Sequence, residues 1–175
     1  MEGPGFIQVY TGNGKGKTTA SLGMALRAAG HGYKTIMIQF MKGKIDYGEL
    51  KARKMLEPYL EIVQAGGPHF IKKGSPSADD IRMANQGLER AREAFAGAAY
   101  DIVILDELNV AIDFGLIPVG RAVELIRQKP GNVELIITGR YAPREILDLA
   151  DLVTEMKEIK HYYQKGVQAR DGIEK

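Results

Sequence analysis

The sequence predicts an α/β fold: a mostly parallel central sheet with helices on both faces. Three observations carry this. Short apolar runs rich in β-branched residues recur along the chain, with longer amphipathic stretches between them, and right-handed helical crossovers turn that alternation into a parallel sheet. Two runs, Thr35 to Phe40 and Ile102 to Leu105, are nearly continuous in apolar character, as strands covered on both faces must be. The chain has 175 residues, 45% hydrophobic and 26% charged. That suits a single domain over 1–175 that needs no covalent staple.

The first strand is read over Phe6 to Tyr10, and a helix over Lys17 to Ala29 follows it. This helix is rich in Ala and Leu almost all round, so it is expected to be buried against the sheet. Thr35 to Phe40 is the second strand, and Leu60 to Val63 is a weaker candidate. The stretch Ala65 to Pro76 is irregular. Ser77 is placed to N-cap a long helix running to about Ala96, because its hydroxyl can accept from a free N–H of the first turn. Ile102 to Leu105 and Val133 to Ile137 are strands, and Leu152 to Met156 is a weaker one. Pro118 to Gln128 and Pro143 to Ala150 read as helices with proline in the first turn, where its missing N–H costs nothing. From 160 to 175 the chain is a tail without clear periodicity.

Composition excludes several classes of function. There is no cysteine, which removes disulfides, thiolate zinc sites, iron–sulfur ligation and a cysteine nucleophile. This suits a reducing cytoplasm. The net charge of +2 is too balanced to argue for nucleic acid or a membrane surface as a partner. Met1-Glu2-Gly3-Pro4 opens with an acid and a helix breaker, unlike a secretion leader. The aliphatic run Ile102 to Leu105 is far short of the roughly 20 residues a membrane span needs.

The sharpest feature is Gly12-Asn13-Gly14-Lys15-Gly16-Lys17-Thr18-Thr19, directly after the first strand and opening the first helix. Glycines let successive N–H groups turn inward on a polyphosphate, and the helix dipole adds its positive end there. Lys17 then supplies a point charge to phosphate oxygens, and the Thr18 hydroxyl can ligate Mg²⁺. Thr11 stands where the usual pattern has its first glycine. The expected fold is therefore that of the P-loop NTPases, RecA-like in type, and the expected ligand a nucleoside polyphosphate.

A second acidic element belongs with the loop. The strand ending Leu105-Asp106-Glu107 puts two carboxylates at its carboxyl end, the side of a parallel sheet where ligands bind. One would hold Mg²⁺ and the other orient a reactant. The alternative is that Asp106 caps a helix.

These elements resemble, in order, those of the ATP:cob(I)alamin (corrinoid) adenosyltransferases. The resemblance covers Thr11 to Thr19, Leu26 to Gly32, Gln39 to Gly43 and Leu105 to Leu108. It continues through Thr138 to Pro143, Ala150 to Met156, Lys160-His161 and Gly166 to Glu174. It implies an enzyme that binds ATP with Mg²⁺ or Mn²⁺. Such an enzyme transfers the 5′-deoxyadenosyl group to the Co(I) of cobalamin or cob(I)yrinic acid a,c-diamide and releases triphosphate. It also implies a homodimer and a flavoprotein that supplies the electron.

Carried over residue by residue, Gly12, Asn13, Gly14, Lys15, Gly16, Lys17, Thr18 and Thr19 form the ATP loop. Thr18 and Glu107 are the metal candidates, with Asp106 as the alternative, and Lys17, Thr18 and Glu107 are the expected catalytic set. Arg140 is a phosphate or nucleotide contact or else an exposed structural arginine, and Glu49 matches a Gly-Glu pair of the family. Family members place a Phe and a Trp after a glycine pair. This chain offers Gly66-Gly67-Pro68-His69-Phe70 and no tryptophan, which leaves Phe70 to pack against the corrin. His161, Tyr162 and Tyr163 either help close the site or pack elsewhere. Two other readings stay open on the residues alone: a P-loop ATPase or kinase, and a partner-binding ATPase of the partition type. The latter wants a second lysine five residues before Lys17, a position that Gly12 occupies.

Overall fold

A computed structural model describes residues 3–43 and 47–175; Met1 and Glu2 of the opening segment lie outside them. Six strands form one sheet: β1 (Ile7–Thr11), β2 (Thr35–Phe40), β3 (Leu60–Ala65), β4 (Ile102–Asp106), β5 (Glu134–Thr138) and β6 (Leu152–Glu155). Their spatial order is β3-β2-β4-β5-β1-β6, and every pairing is parallel. All six carboxyl ends therefore lie on one side. β5 sits between β1, which feeds the glycine loop, and β4, which carries the acids.

The strand period of two sorts the core into two layers. Ile36, Ile38, Phe40, Val103, Leu105, Leu135 and Ile137 pack on one face. That face is covered by α3 (Ala78–Ala96), α4 (Leu108–Asp113), α5 (Val119–Arg127) and α6 (Arg144–Leu147). Met37, Ile62, Ile102, Ile104 and Ile136 pack on the other face. There they meet α1 (Lys17–Ala29) and α2 (Gly48–Ala52), the latter running on as a 3-10 turn over Arg53–Leu56. Each side chain buried this fully contributes about 1.5–3 kcal/mol. Such burial outweighs the few tenths by which β-branched residues and alanines differ in local propensity.

The long helix begins as its sequence predicts. The Ser77 hydroxyl accepts from the Asp80 N–H at 3.1 Å while the Asp80 carboxylate accepts from the Ser77 N–H at 3.0 Å, a reciprocal cap. Other expectations need correction. Strands β3 and β6 are regular members of the sheet, and β3 runs two residues past its predicted end. Pro118 and Pro143 precede their helices as extended N-cap residues rather than standing in the first turn. The helix expected to reach Ala150 stops at Leu147, because the chain must turn quickly to enter edge strand β6. Helix α1 is buried along only one stripe, Lys17, Ser21, Ala25 and Ala28, and Leu26 is exposed. One sheet face needs one helical stripe; the outer side carries Thr19, Ala20, Gly23 and Arg27 beside the exposed Leu26. Sequence patterning missed α2 and α4, each six residues or shorter and too short to show a helical period.

Among the described residues, no helix is long and apolar enough to cross a membrane.

Candidate active site at the carboxyl ends of β1, β2 and β4

Thr11 is still strand: it pairs with Glu155 of β6, and its carbonyl accepts the Met156 N–H at 2.8 Å. An extended residue needs no glycine, which explains the departure from the usual loop. The glycines that follow are needed. Gly12 and Gly16 have φ of +90° and +123°, open only to glycine at low cost. A Cβ on Gly12 or Gly14 would also lie 2.5 or 2.7 Å from the Met156 carbonyl oxygen. Gly14 donates its N–H to that same oxygen at 2.6 Å. The loop is thus wedged against the chain leaving β6.

Lys17 opens α1 and is almost fully buried, its ammonium donating to the carbonyls of Gly12 and Gly14, both at 2.8 Å. Burial holds it below the ordinary lysine value, against the opposing pull of Glu107 and with a further push from Arg140. The ammonium is held inside the loop, with two carbonyls as its partners.

Asp106, the last residue of β4, is completely buried. Its Oδ1 accepts the hydroxyls of Thr18 at 2.9 Å and Thr138 at 2.7 Å. Its Oδ2 accepts the Lys42 ammonium at 2.8 Å. The helix-cap alternative for Asp106 fails: the N-cap of α4 is Glu107, and its side chain makes no capping bond. Glu107 stands at φ +62°, uncommon for a non-glycine residue. Its N–H is held by the Thr138 hydroxyl at 3.0 Å. Burial first, and then the neighbouring Asp106 charge, raise the Glu107 carboxyl above its ordinary value; Lys42, Lys17 and Arg140 oppose this. Arg140 itself is exposed, just beyond β5.

Lys42 and Thr138 are the site residues that motif reading missed. The signal for both was position: each lies at or just past the carboxyl end of a strand neighbouring β4. Met41 at φ +59° turns the chain out of β2. Gly43 then meets the loop after β3 so closely that a Cβ would stand 1.8 Å from the Gly66 carbonyl oxygen. The Gly66-Gly67 pair, noted for the corrin side, therefore also serves the packing of these two loops. The Lys42 ammonium lies 3.9 Å from Glu49 and 5.2 Å from the centre of the Tyr47 ring. Glu49 in turn accepts from the Gln39 amide at 2.8 Å. Burial pulls Lys42 down, but Asp106 outweighs it, helped by Glu49 and Glu107, and the ammonium is held above its ordinary value.

The remaining expected residues lie around this centre. Asn13 and Thr19 are exposed. Lys15 is exposed and donates to the Ile173 carbonyl in the tail at 3.1 Å. An open pocket of about 330 Å³ is lined by Gly14, Lys15 and Lys157 to Tyr162, so His161 and Tyr162 stand beside the loop while Tyr163 is exposed. Phe70 is fully exposed on the loop after β3, and His69 beside it is exposed too. That loop is anchored by an ion pair from Lys73 to Asp113 at 2.7 Å.

The donors at the centre are hard oxygens: the Thr18 hydroxyl, the Asp106 carboxylate and the Glu107 carboxylate. They fit Mg²⁺ or Mn²⁺, which take few protein ligands and complete their shell with phosphate oxygens and water.

A glycine loop between strand and helix, a buried lysine inside it and a carboxylate bonded to the loop threonine define a P-loop nucleotide-binding protein. Among solved structures, a KaiC-like protein of Pyrococcus horikoshii shares this fold, with a TM-score of 0.56 at 13% identity over 90% of this chain and 75% of that one. The chain belongs to the ATP:corrinoid adenosyltransferase family (BtuR/CobO/CobP), whose model matches residues 4–174. It is 38% identical to the corrinoid adenosyltransferase of Escherichia coli K12, over 97% of this chain and 85% of that protein. The corrinoid adenosyltransferase CobA of Salmonella typhimurium is also 38% identical, over 99% and 87%. That of Pseudomonas aeruginosa is 34% identical, over 97% and 83%. The protein is an ATP-dependent transferase that adenosylates corrinoids.

Proposed function

We propose that the corrinoid cobalt, reduced to Co(I), attacks the 5′ carbon of ATP and that the whole triphosphate leaves. The cobalt–carbon bond forms as the carbon–oxygen bond breaks, and the pair of electrons released stays on the triphosphate. Co(I) brings its own lone pair, so no general base is needed. The task left to the protein is to stabilise charge on the leaving group and to hold carbon and cobalt in line. The observation that best supports this is Lys17, buried inside the glycine loop and held there by the Gly12 and Gly14 carbonyls. Loop amides and Lys17 bind the triphosphate, Arg140 adds charge from the rim, and Glu107 orients the ribose side.

Thr18 and Glu107 are the expected metal pair, with Asp106 as the alternative. Because Asp106 is the carboxylate bonded to the Thr18 hydroxyl, we place Asp106 beside Thr18 as the holders of Mg²⁺ or Mn²⁺, with Glu107 as the next carboxylate. Bound there, the cation would neutralise oxygens of the departing triphosphate. The exposed ring of Phe70 offers an apolar surface to one face of the corrin. We take 1–175 as one nucleotide-binding domain with 160–175 as its tail. We also take the enzyme to be a cytoplasmic homodimer supplied with electrons by a flavoprotein. The acceptor is cobalamin or cob(I)yrinic acid a,c-diamide.

An anaerobic assay with ATP, Mg²⁺ and chemically reduced cobalamin tests the reading. Adenosylcobalamin and triphosphate should appear in equal amounts. Lys17→Ala should lower the rate by about 10²- to 10³-fold, the usual loss when one preorganised charge-stabilising donor is removed. ADP or orthophosphate without a cobalt–carbon bond would overturn it in favour of an ordinary ATPase.

A further inference from the structure

Both oxygens of Asp106 are already engaged. Two hydroxyls occupy Oδ1, and the Lys42 ammonium occupies Oδ2 at 2.8 Å. Asp106 is wholly buried and the Lys42 side chain is only 16% exposed, so this is not a solvated surface pair. Lys42 is held from several sides: Glu49 lies at 3.9 Å, the Tyr47 ring at 5.2 Å, and the next residue, Gly43, is packed against Gly66. Oδ1 already accepts two bonds, so a divalent cation would approach Asp106 at Oδ2, where it meets this ammonium.

We propose that Lys42 is a built-in counter-ion for Asp106, holding the carboxylate while the nucleotide site is empty and yielding Oδ2 to the divalent cation that arrives with ATP. The idea rests on the metal reading above and adds a new element to it. A buried carboxylate is costly without a partner, so the empty site carries its own cation. The released ammonium has Glu49 already within 3.9 Å, and the incoming triphosphate is a second anion for it. The metal therefore competes with a resident positive charge. The nucleotide-free protein should take up divalent cations poorly, and ATP should bring them in.

The test uses Mn²⁺ and electron paramagnetic resonance on the full chain without nucleotide, alongside melting in EDTA and in Mg²⁺. Wild type should bind Mn²⁺ weakly and melt at the same temperature in both buffers. Lys42→Met should bind Mn²⁺ about tenfold or more tightly, since an opposite charge at this range changes a carboxylate's preference for a cation by that much. It should melt lower than wild type in EDTA and recover in Mg²⁺. Lys42→Gln, which keeps a hydrogen-bond donor for Asp106, should show the same metal dependence even where the apolar variant folds poorly. Lys42→Arg should behave as wild type. Unchanged Mn²⁺ affinity and unchanged melting in both neutral variants would overturn the proposal. Mn²⁺ binding in the presence of ATP, compared between wild type and Asp106→Asn, separates the two levels. If that binding ignores Asp106, the metal reading itself fails; if it depends on Asp106 while the Lys42 variants do nothing, only the counter-ion role falls.

Discussion

Glu107 combines two unfavourable features in one residue. Its backbone stands at φ +62°, and its carboxyl is raised above the ordinary value by burial and by Asp106. Strain and unfavourable ionisation concentrated at one position mark a residue kept for function. The sign of its pH effect follows. A raised carboxyl binds its proton more tightly when folded, so it costs the fold stability once pH rises above the unfolded value near 4.5. Glu107→Gln removes that charge. The variant should melt above wild type at pH 7, with the gain shrinking as pH falls toward 4.5, while adenosyl transfer drops. Thermal melts across pH together with the anaerobic assay check both halves, and equal melting at pH 7 would contradict the account.

Among the elements, the glycine loop and helix α1 make a controlled comparison. Gly12 has a positive φ and meets the Met156 carbonyl, whereas Gly23, within α1, has nothing within 4 Å of a built Cβ. Gly12→Ala should therefore destabilise by about 1–3 kcal/mol or more through backbone strain and clash. Gly23→Ala should stabilise by about 0.4–1 kcal/mol by restricting the unfolded chain. Urea titration of the two variants measures both. This contrast also explains what sequence could reveal. The strand–loop–helix unit was legible because glycine, lysine and hydroxyl chemistry leave a fixed spacing, and β2 and β4 because strands covered twice are apolar throughout. Ser77 was legible from its chemistry as a cap. Helices α2 and α4 were not, being only a turn or two long, and so the contact of Glu49 with Lys42 was hidden. Lys42 looked like any strand-end lysine. Its partner Asp106 is 64 residues away, and only the parallel register of Gln39 beside Asp106 brings them together. Thr138 stands in a block of the family resemblance, but its role was hidden for the same reason: its two bonds cross from β5 to the end of β4.

At the scale of the whole molecule, the tail joins the last residues of the chain to its first loop. Glu174 accepts from the Tyr162 hydroxyl, and from the Arg170 backbone N–H at 2.9 Å and its guanidinium at 3.2 Å. This folds the tail on itself, and Lys15 then bonds the Ile173 carbonyl from the glycine loop. Arg170 first, and Tyr162 after it, lower the Glu174 carboxyl to about 2. A lowered carboxyl contributes above its unfolded value near 4.5 and loses that contribution as pH falls toward about 2. The clasp is therefore fully present at neutral pH, and Glu174→Gln should undo it there. Because the clasp is solvent-exposed, global stability should hardly change. What should change is local: faster trypsin cleavage at Lys165 and Arg170, and a several-fold higher KM for ATP with kcat nearly kept, since the tail flanks the loop without touching Asp106. A variant with wild-type cleavage and wild-type KM would show that the tail is held without the Glu174 clasp. A fall in kcat at constant KM would instead place the tail in the chemical step.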